Sequence, residues 1–316
     1  MLIHTSVSVF NTIVQLFVIS IAAGLLVRKK MILANQIQAL STITVNIFLP
    51  CLIVTKIIAG FHPEQLENWW ILPLSGFLIS VTGLLISNLF FRLRPEKRPA
   101  MVVASLPNAI YVVLPIGQVL FADDFDSFAL YCFLFVLGLN PVMWSIGKVM
   151  LAGKTQQRIH WKDFFTPPLL AIFISVFMAF TGASKFIPAA ITAPLDLLGQ
   201  ATVPVSIFVL GAVLGSLSIE NLPPLKDILI VGAVKYLVVP FIVFTVLYHG
   251  QLYSTMPLLC ALLIIEAAAP PAANLVIITE NYCGDTQAVS SMMLVQYPIC
   301  LFFMPLWIAA WQYQVF

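Results

Sequence analysis

The sequence is short of charged residues. Only 9% of its 316 residues are Asp, Glu, Lys or Arg, and 61% are hydrophobic. Soluble domains average about 25% charged residues, so this chain could not cover a water-facing surface, whereas a lipid-facing surface needs no charge. The net charge of +2 is also too small to indicate a nucleic-acid partner. The composition therefore predicts an integral protein of the lipid bilayer.

The sequence also lacks the usual patterns of metal and disulfide sites. Its five cysteines are scattered through apolar segments without a Cys-x-x-Cys pair, and no histidine stands at zinc-ligand spacing. The first apolar stretch is not preceded by basic residues and is longer than a signal-peptide core. We therefore expect no metal, no cofactor and no cleaved signal.

Long apolar runs fill most of the chain. A membrane-spanning helix needs roughly 20 mostly apolar residues, whereas barrel strands would show short alternating segments. The predicted fold class is an all-α integral membrane protein with ten transmembrane helices. Its predicted spans cover about 7–27, 37–59, 69–91, 99–122, 127–151, 165–183, 192–217, 225–248, 255–282 and 286–311.

Basic residues collect in alternate loops, chiefly within 28–30, 92–98 and 148–162. Loops rich in Lys and Arg face the cytoplasm, so both termini are expected outside a plasma or bacterial inner membrane. Lys56, near the end of the second span, is interpreted as an anchor at the membrane interface.

The longest hydrophilic stretch divides the predicted spans five and five. This predicts a first five-helix repeat over 1–152, a cytoplasmic linker over 153–164 and a second repeat over 165–316. An odd number of spans per half places the second repeat upside down, as in many secondary transporters. Prolines recur at matching places in the two halves, Pro50 with Pro204 and Pro107 with Pro270.

Prolines interrupt the fourth span and the ninth. A proline removes a helical hydrogen bond, and lipid tolerates the freed backbone group only where protein or water satisfies it. Two matched interruptions therefore predict a cavity near the midplane, where half-helix N-termini attract a carboxylate. The candidate substrate site comprises Pro107, Asn108, Pro270, Pro271 and Asn274. In the alternative interpretation, the prolines only kink the helices and the amides tie down the kinks.

Two charged residues lie well inside predicted spans, Lys235 in the eighth and Glu266 in the ninth. Burying either costs at least about 2.5 kcal/mol, so we expect a pair between them or a coupled proton on Glu266. The alternative is that either side chain reaches an interface. Candidate cavity-lining amides, which could instead bridge helices, are Asn46, Gln200, Asn140 and Gln296.

At these positions the sequence resembles the auxin efflux carrier family of membrane transporters, nearly over its whole length. The matching stretches are LSTITVNIFLP (40–50), PNAIYVVLPIGQVLFAD (107–123), GQATVPVSIFVLG (199–211) and PPAAN (270–274). The resemblance implies two inverted five-helix repeats, with broken helices 4 and 9 crossing at the substrate site. It also implies an organic anion such as malonate, malate or an auxin-like acid. Unlike many members, this chain has no glycine within 109–113.

The expected function is secondary active transport of a small organic anion by alternating access, coupled to H⁺ or Na⁺. A sodium-coupled carrier resembling bile-acid symporters stays open as an alternative, as does assembly into a homodimer. The chain is not expected to be an enzyme. The rival enzyme reading would place a divalent metal ion on Asp123, Asp124 and Asp126, which a solvated loop explains equally simply.

Overall fold

The computed structural model describes residues 2–64, 68–153, 165–217 and 222–315, so most of the predicted linker lies outside the described residues. Within these ranges the chain is helical and forms no β-sheet. Its helices are α1 Leu2–Arg28, α2 Asn35–Gly60, α3 Ile71–Phe91, α4 Arg98–Ser105, α5 Val113–Leu120, α6 Phe125–Leu151, α7 Pro167–Thr181, α8 Ala189–Ser216, α9 Leu225–His249, α10 Pro257–Ala268, α11 Asn274–Asn281 and α12 Thr286–Val315.

Six of the described helices are long and apolar enough to cross a membrane, namely α2, α3, α6, α8, α9 and α12. Shorter apolar helices accompany them, over Val14–Arg28, Pro167–Thr181 and Pro257–Ala268. Large apolar side chains such as Leu89, Phe177 and Leu197 are mostly exposed, which suits a surface covered by lipid. The prediction of a helical protein that crosses the membrane several times is thereby confirmed.

Three of the long helices contain a π-helical turn beside a proline. The turns span Thr44–Phe48 in α2, Met143–Gly147 in α6 and Val234–Val238 in α9. Their neighbouring prolines are Pro50, Pro141 and Pro240. A proline cannot donate to the helical ladder, and the wider turn shifts the ladder by one residue. These helices therefore stay continuous across their prolines.

The helices pack in two groups. Helices α1, α2, α7 and α8 pack mainly on one another, and we call them the α8 group. Helices α3 to α6 and α9 to α12 form the other set, which we call the α6 group. A separate small apolar cluster around Ala23, Ile37 and Ala212 lies wholly within the α8 group. The two groups meet where α1 packs on α12 and α2 packs on α6.

Small residues let α1 and α8 approach each other closely. A Cβ atom added to Gly211 would lie 2.0 Å from the carbonyl oxygen of Ser20, and one on Gly215 would lie 2.4 Å from Cα of Gly24. The Ser20 hydroxyl also donates to the Ile207 carbonyl at 3.2 Å. Small residues spaced four apart on facing helices are a common way to join helices in lipid, because apolar area alone drives no association there.

We expect Gly211→Ala to push α1 away from α8 and to destabilise the protein by about 1–3 kcal/mol, the usual range for overpacking. The matched control is Gly60→Ala, whose added Cβ would meet only Leu130 Cδ2 at 3.5 Å. Thermal denaturation of the purified protein in detergent compares the two variants. Equal melting temperatures would contradict the close α1–α8 contact.

Candidate functional site

Helices α4 and α5 form one interrupted helix, and helices α10 and α11 form another. The gaps of these two interrupted helices meet. The first gap lies between Ser105 and Val113, and the second between Ala268 and Asn274. Both gaps contain the prolines from which the interruptions were predicted, and Pro107 forms an antiparallel bridge with Pro271. We call the residues of these two gaps the crossing.

Reciprocal backbone hydrogen bonds hold the crossing together. The Asn108 N–H donates to the Pro270 carbonyl at 2.7 Å, and the Ala272 N–H donates to the Leu106 carbonyl at 3.0 Å. Hydrocarbon offers no alternative partner for these groups, so each gap completes the hydrogen bonding of the other. The interruption of one helix is therefore stable only in the presence of the second.

The Asn108 side chain braces the crossing from within. It is 3% exposed, and its Oδ1 accepts from the Tyr111 N–H at 3.0 Å. Its Nδ2 donates to the Tyr297 hydroxyl at 2.8 Å, and that hydroxyl donates to the Pro271 carbonyl at 2.8 Å. The Asn108 amide thus ties the first gap to the second, a bracing role that the sequence left open as the alternative to substrate contact.

The missing glycine of the first gap has a structural explanation. Residues 109–112 form a turn, and none of them has a positive φ angle. The bond from the Tyr111 N–H to Asn108 Oδ1 closes this turn in the way that asparagine side chains often close local turns. The backbone therefore needs no residue that tolerates left-handed angles here.

Tyr297 contacts both gaps of the crossing, and the sequence analysis passed over it. It lies in α12, is 1% exposed, and follows Gln296, which the sequence had singled out instead. A tyrosine next to Pro298 in an apolar span was the available signal, because a buried tyrosine hydroxyl usually finds a hydrogen-bond partner.

A cavity of about 220 Å³ lies beside the crossing, at the boundary of the two helix groups. Helices α2 and α7 line it from the α8 group, and the crossing, α6 and α11 line it from the α6 group. Its lining includes Pro107, Asn108, Asn46, Asn140 and Asn274 and contains no charged side chain. Thr166 and Pro167, at the beginning of α7, also belong to its lining.

Several hydrogen-bonding groups of this lining have no partner in the described part of the protein. In the part of the chain that the structure describes, the amides of Asn46, Asn140 and Asn274 have no hydrogen-bond partner, although Asn140 is only 6% exposed. There too, the backbone N–H groups of the lining residues Ala109, Ile110, Ala273 and Asn274 lack an acceptor. Because these groups have no partner in the described chain, a polar occupant of the cavity can form hydrogen bonds with them.

The remaining candidates lie outside this lining. Pro270 and Pro271 shape the second gap without lining the cavity. The Gln200 amide donates to Asp196 Oδ2 at 2.8 Å, and the Gln296 amide donates to the Ile228 carbonyl at 3.1 Å. Gln200 thus contacts a carboxylate of its own helix, and Gln296 bridges two helices.

Glu266 and Lys235 are both buried near the crossing, but within the described ranges they form no direct ion pair. Lys235 Nζ donates to the Leu106 carbonyl at 3.4 Å. Glu266 Oε1 lies 3.6 Å from the Cys132 thiol, which is 2.7 Å from the Ala109 carbonyl. Glu266 Oε2 has no hydrogen-bond partner. Each charged residue therefore connects to the first gap, one directly and the other through Cys132.

The acidic cluster of Asp123, Asp124 and Asp126 shows no metal-site geometry. No group of three or more His, Cys, Asp or Glu side chains among the described residues could hold a metal ion. Asp126 instead pairs with Lys56, whose Nζ lies 2.8 Å from its Oδ1 and 3.6 Å from Asp196 Oδ1. The Lys56 side chain is 14% exposed and is held by these two carboxylates.

Two interrupted helices meeting beside a polar-lined cavity, within an apolar helical bundle, are typical of membrane transporters. A family model described as membrane transport protein matches residues 8–160 and 154–308. The chain therefore belongs to this auxin efflux carrier-like family. It is also similar to an uncharacterized transporter of Methanocaldococcus jannaschii, with 23% identity over 277 residues that cover 85% of this chain and 88% of the relative.

We expect Tyr297→Phe to loosen the crossing, because it leaves the Asn108 amide and the Pro271 carbonyl without their shared partner. The expected destabilisation is about 1–3 kcal/mol, measured as a lower melting temperature. Tyr313→Phe serves as the matched control, since Tyr313 lies on the same helix and is 64% exposed. An unchanged melting temperature for Tyr297→Phe would contradict the bracing role.

Proposed function

We propose that this protein is a secondary active transporter of a small organic anion and works by alternating access. The observation that carries the proposal is the cavity at the boundary of the two helix groups, which combines unpaired hydrogen-bond donors with an uncharged lining. An occupant of this site must accept hydrogen bonds from several directions. Any charge in the occupied site must come from the occupant, because the lining has none.

A carboxylate satisfies these requirements. Its two oxygens accept about four hydrogen bonds, and the free N–H groups lie just before or at the start of α5 and α11, where the helix dipole favours negative charge. Sites for drug-sized ligands occupy about 300–1,000 Å³, so a cavity of 220 Å³ suits a smaller solute. Malonate, malate or a small auxin-like acid fits this description, with apolar parts resting on Leu139, Met143 and Trp144.

In the proposed topology the chain crosses the membrane ten times, in two inverted five-helix repeats over 1–152 and 165–316. The meeting of two interrupted helices, each fourth in its half, supports this arrangement. The basic loops support a cytoplasmic linker, with both termini outside the cell membrane.

Transport would follow from movement of the α6 group against the α8 group. The cavity lies between them, so a shift along this boundary would change which side of the membrane reaches the bound solute. Because the lining extends to Thr166 and Pro167, next to the proposed cytoplasmic linker, the cavity would be loaded from that side in this conformation.

Glu266 is the proposed carrier of a coupled proton. Its unpaired Oε2 can hold a proton, and its Oε1 reaches the crossing through Cys132. Lys235 is the nearby cationic group that contacts the same gap. Coupling to Na⁺ is the competing outcome, and an imposed sodium gradient at constant pH distinguishes it.

Uptake into proteoliposomes tests the site. A thermal-shift screen of dicarboxylates and indole acids identifies the ligand, and counterflow of labelled against unlabelled ligand separates a carrier from a channel. We expect Asn140→Ala and Asn274→Ala to raise KM about 10- to 100-fold, because each removes a hydrogen bond to a charged group worth about 1.5–3 kcal/mol. Asn108→Ala should lower uptake by disrupting the crossing itself.

The matched control for the uptake series is Asn281→Ala, since Asn281 ends α11 and is exposed outside the cavity. It should transport like the unmodified protein. Unchanged uptake in both Asn108→Ala and Asn274→Ala would overturn the assignment of the site.

Glu266→Gln is expected to make the transport rate independent of pH, because glutamine keeps the shape of the side chain but does not titrate. The rate should be measured between pH 5 and pH 8 with Glu280→Gln as control, since Glu280 lies exposed on α11. A pH profile of Glu266→Gln that matches the unmodified protein would exclude Glu266 as the coupling group.

A further inference from the structure

We infer that Lys56 is a latch between the two helix groups, and that it passes from Asp126 to Asp196 when the groups separate. Lys56 and Asp196 belong to α2 and α8 of the α8 group, whereas Asp126 lies in the first turn of α6. The 2.8 Å pair therefore crosses the boundary, and the 3.6 Å pair stays within one group. This inference rests on the proposed movement of the two groups.

The latch lies at one end of the molecule, away from the cavity. Along α2, Lys56 is about 15 Å from Asn46, and along α6, Asp126 is about 21 Å from Asn140, at 1.5 Å per residue. Both displacements lead away from Thr166 and Pro167. The Lys56 pair thus fastens one end of the boundary, whereas the cavity lies nearer its middle.

An aromatic cluster closes the same end. Phe61 follows the last turn of α2, Phe180 lies in the last turn of α7, and Trp69 precedes α3. Their ring centroids are 5.6–5.8 Å apart in edge-to-face contacts, and Phe61 is 1% exposed. Trp69 joins the α6 group to the α8 group here, so an ion pair and an aromatic contact seal this end together.

The two carboxylates have different surroundings, and this difference makes the transfer workable. Asp126 is 71% exposed, so water can solvate it after release. The Lys56 side chain is largely buried and would be left without a partner if Asp126 were its only one. Asp196 lies on the same helix group, and the Gln200 amide holds its other oxygen at 2.8 Å. Lys56 therefore keeps a carboxylate partner whether the boundary is closed or open.

Distance measurements by double electron–electron resonance test the latch. Spin labels at Asp123→Cys, between α5 and α6, and at Phe186→Cys, between α7 and α8, report the separation of the two groups at this end. Both positions are exposed, and the exposed Cys283 is replaced by Ser to avoid background labelling. The protein is measured in lipid nanodiscs without substrate.

The two carboxylate variants should shift the distances in opposite directions. Asp126→Asn removes the crossing pair and should raise the long-distance population about two- to fivefold, as expected for a weak, solvent-exposed ion pair. Asp196→Asn removes the partner of the open state and should lower that population. Lys56→Gln removes both pairs and should abolish the effect of either aspartate variant when combined with it.

The matched control is Asp227→Asn, which breaks the 2.6 Å pair of Lys97 with Asp227 inside the α6 group and should leave the distances unchanged. Unmodified distances in Asp126→Asn would overturn the latch, and shifts of the same sign in both variants would overturn the transfer. Opposite shifts in a protein that moves no carboxylate would refute the proposed substrate while supporting the latch.

Discussion

A polar backbone group in hydrocarbon must find its partner within the protein, and the centre of this molecule is built around that constraint. Prolines interrupt two helices. Without the other, each interrupted helix would leave backbone groups without a hydrogen-bond partner. Their gaps lie antiparallel and exchange hydrogen bonds, so that Asn108 and Ala272 each donate to a carbonyl of the other gap. The Tyr297 hydroxyl adds a side-chain connection between them. The backbone N–H groups of the gaps that stay unpaired line a cavity, where a solute can supply the missing acceptors.

The gaps and the cavity differ in how they use asparagine. The Asn108 amide holds the crossing together, because its Oδ1 and its Nδ2 are both bonded to protein. Asn140 and Asn274 retain their hydrogen-bonding capacity, and they come from helices that the crossing only positions. Bonding to the protein and free hydrogen-bonding capacity therefore belong to different amides within one small volume.

Local chemistry accounts for what the sequence could predict here. Apolar runs and the scarcity of charge indicate membrane helices directly, and Pro107 and Pro270 mark the interruptions because proline acts within a single turn. Partner choice across the fold is not local. The sequence around Lys56 does not predict that it pairs with Asp126 or Asp196. The sequence around Gln200 does not predict that its amide contacts a carboxylate rather than the cavity. The separation of Lys235 from Glu266 likewise depends on how α9 and α10 rotate, which periodicity in a wholly apolar environment does not specify.

The reciprocal bonding of the crossing has a consequence for how the chain is made. Synthesis proceeds from the N-terminus, so the segment around Pro107 is exposed to the translation machinery long before residues 270–272 exist. During that interval the backbone groups of the first gap lack their final hydrogen-bond partners, and water, a chaperone or another part of the chain must bond to them. The first half of the chain is therefore inserted before its gap can form its final hydrogen bonds. Folding of the first half is completed only after the second half has been synthesised.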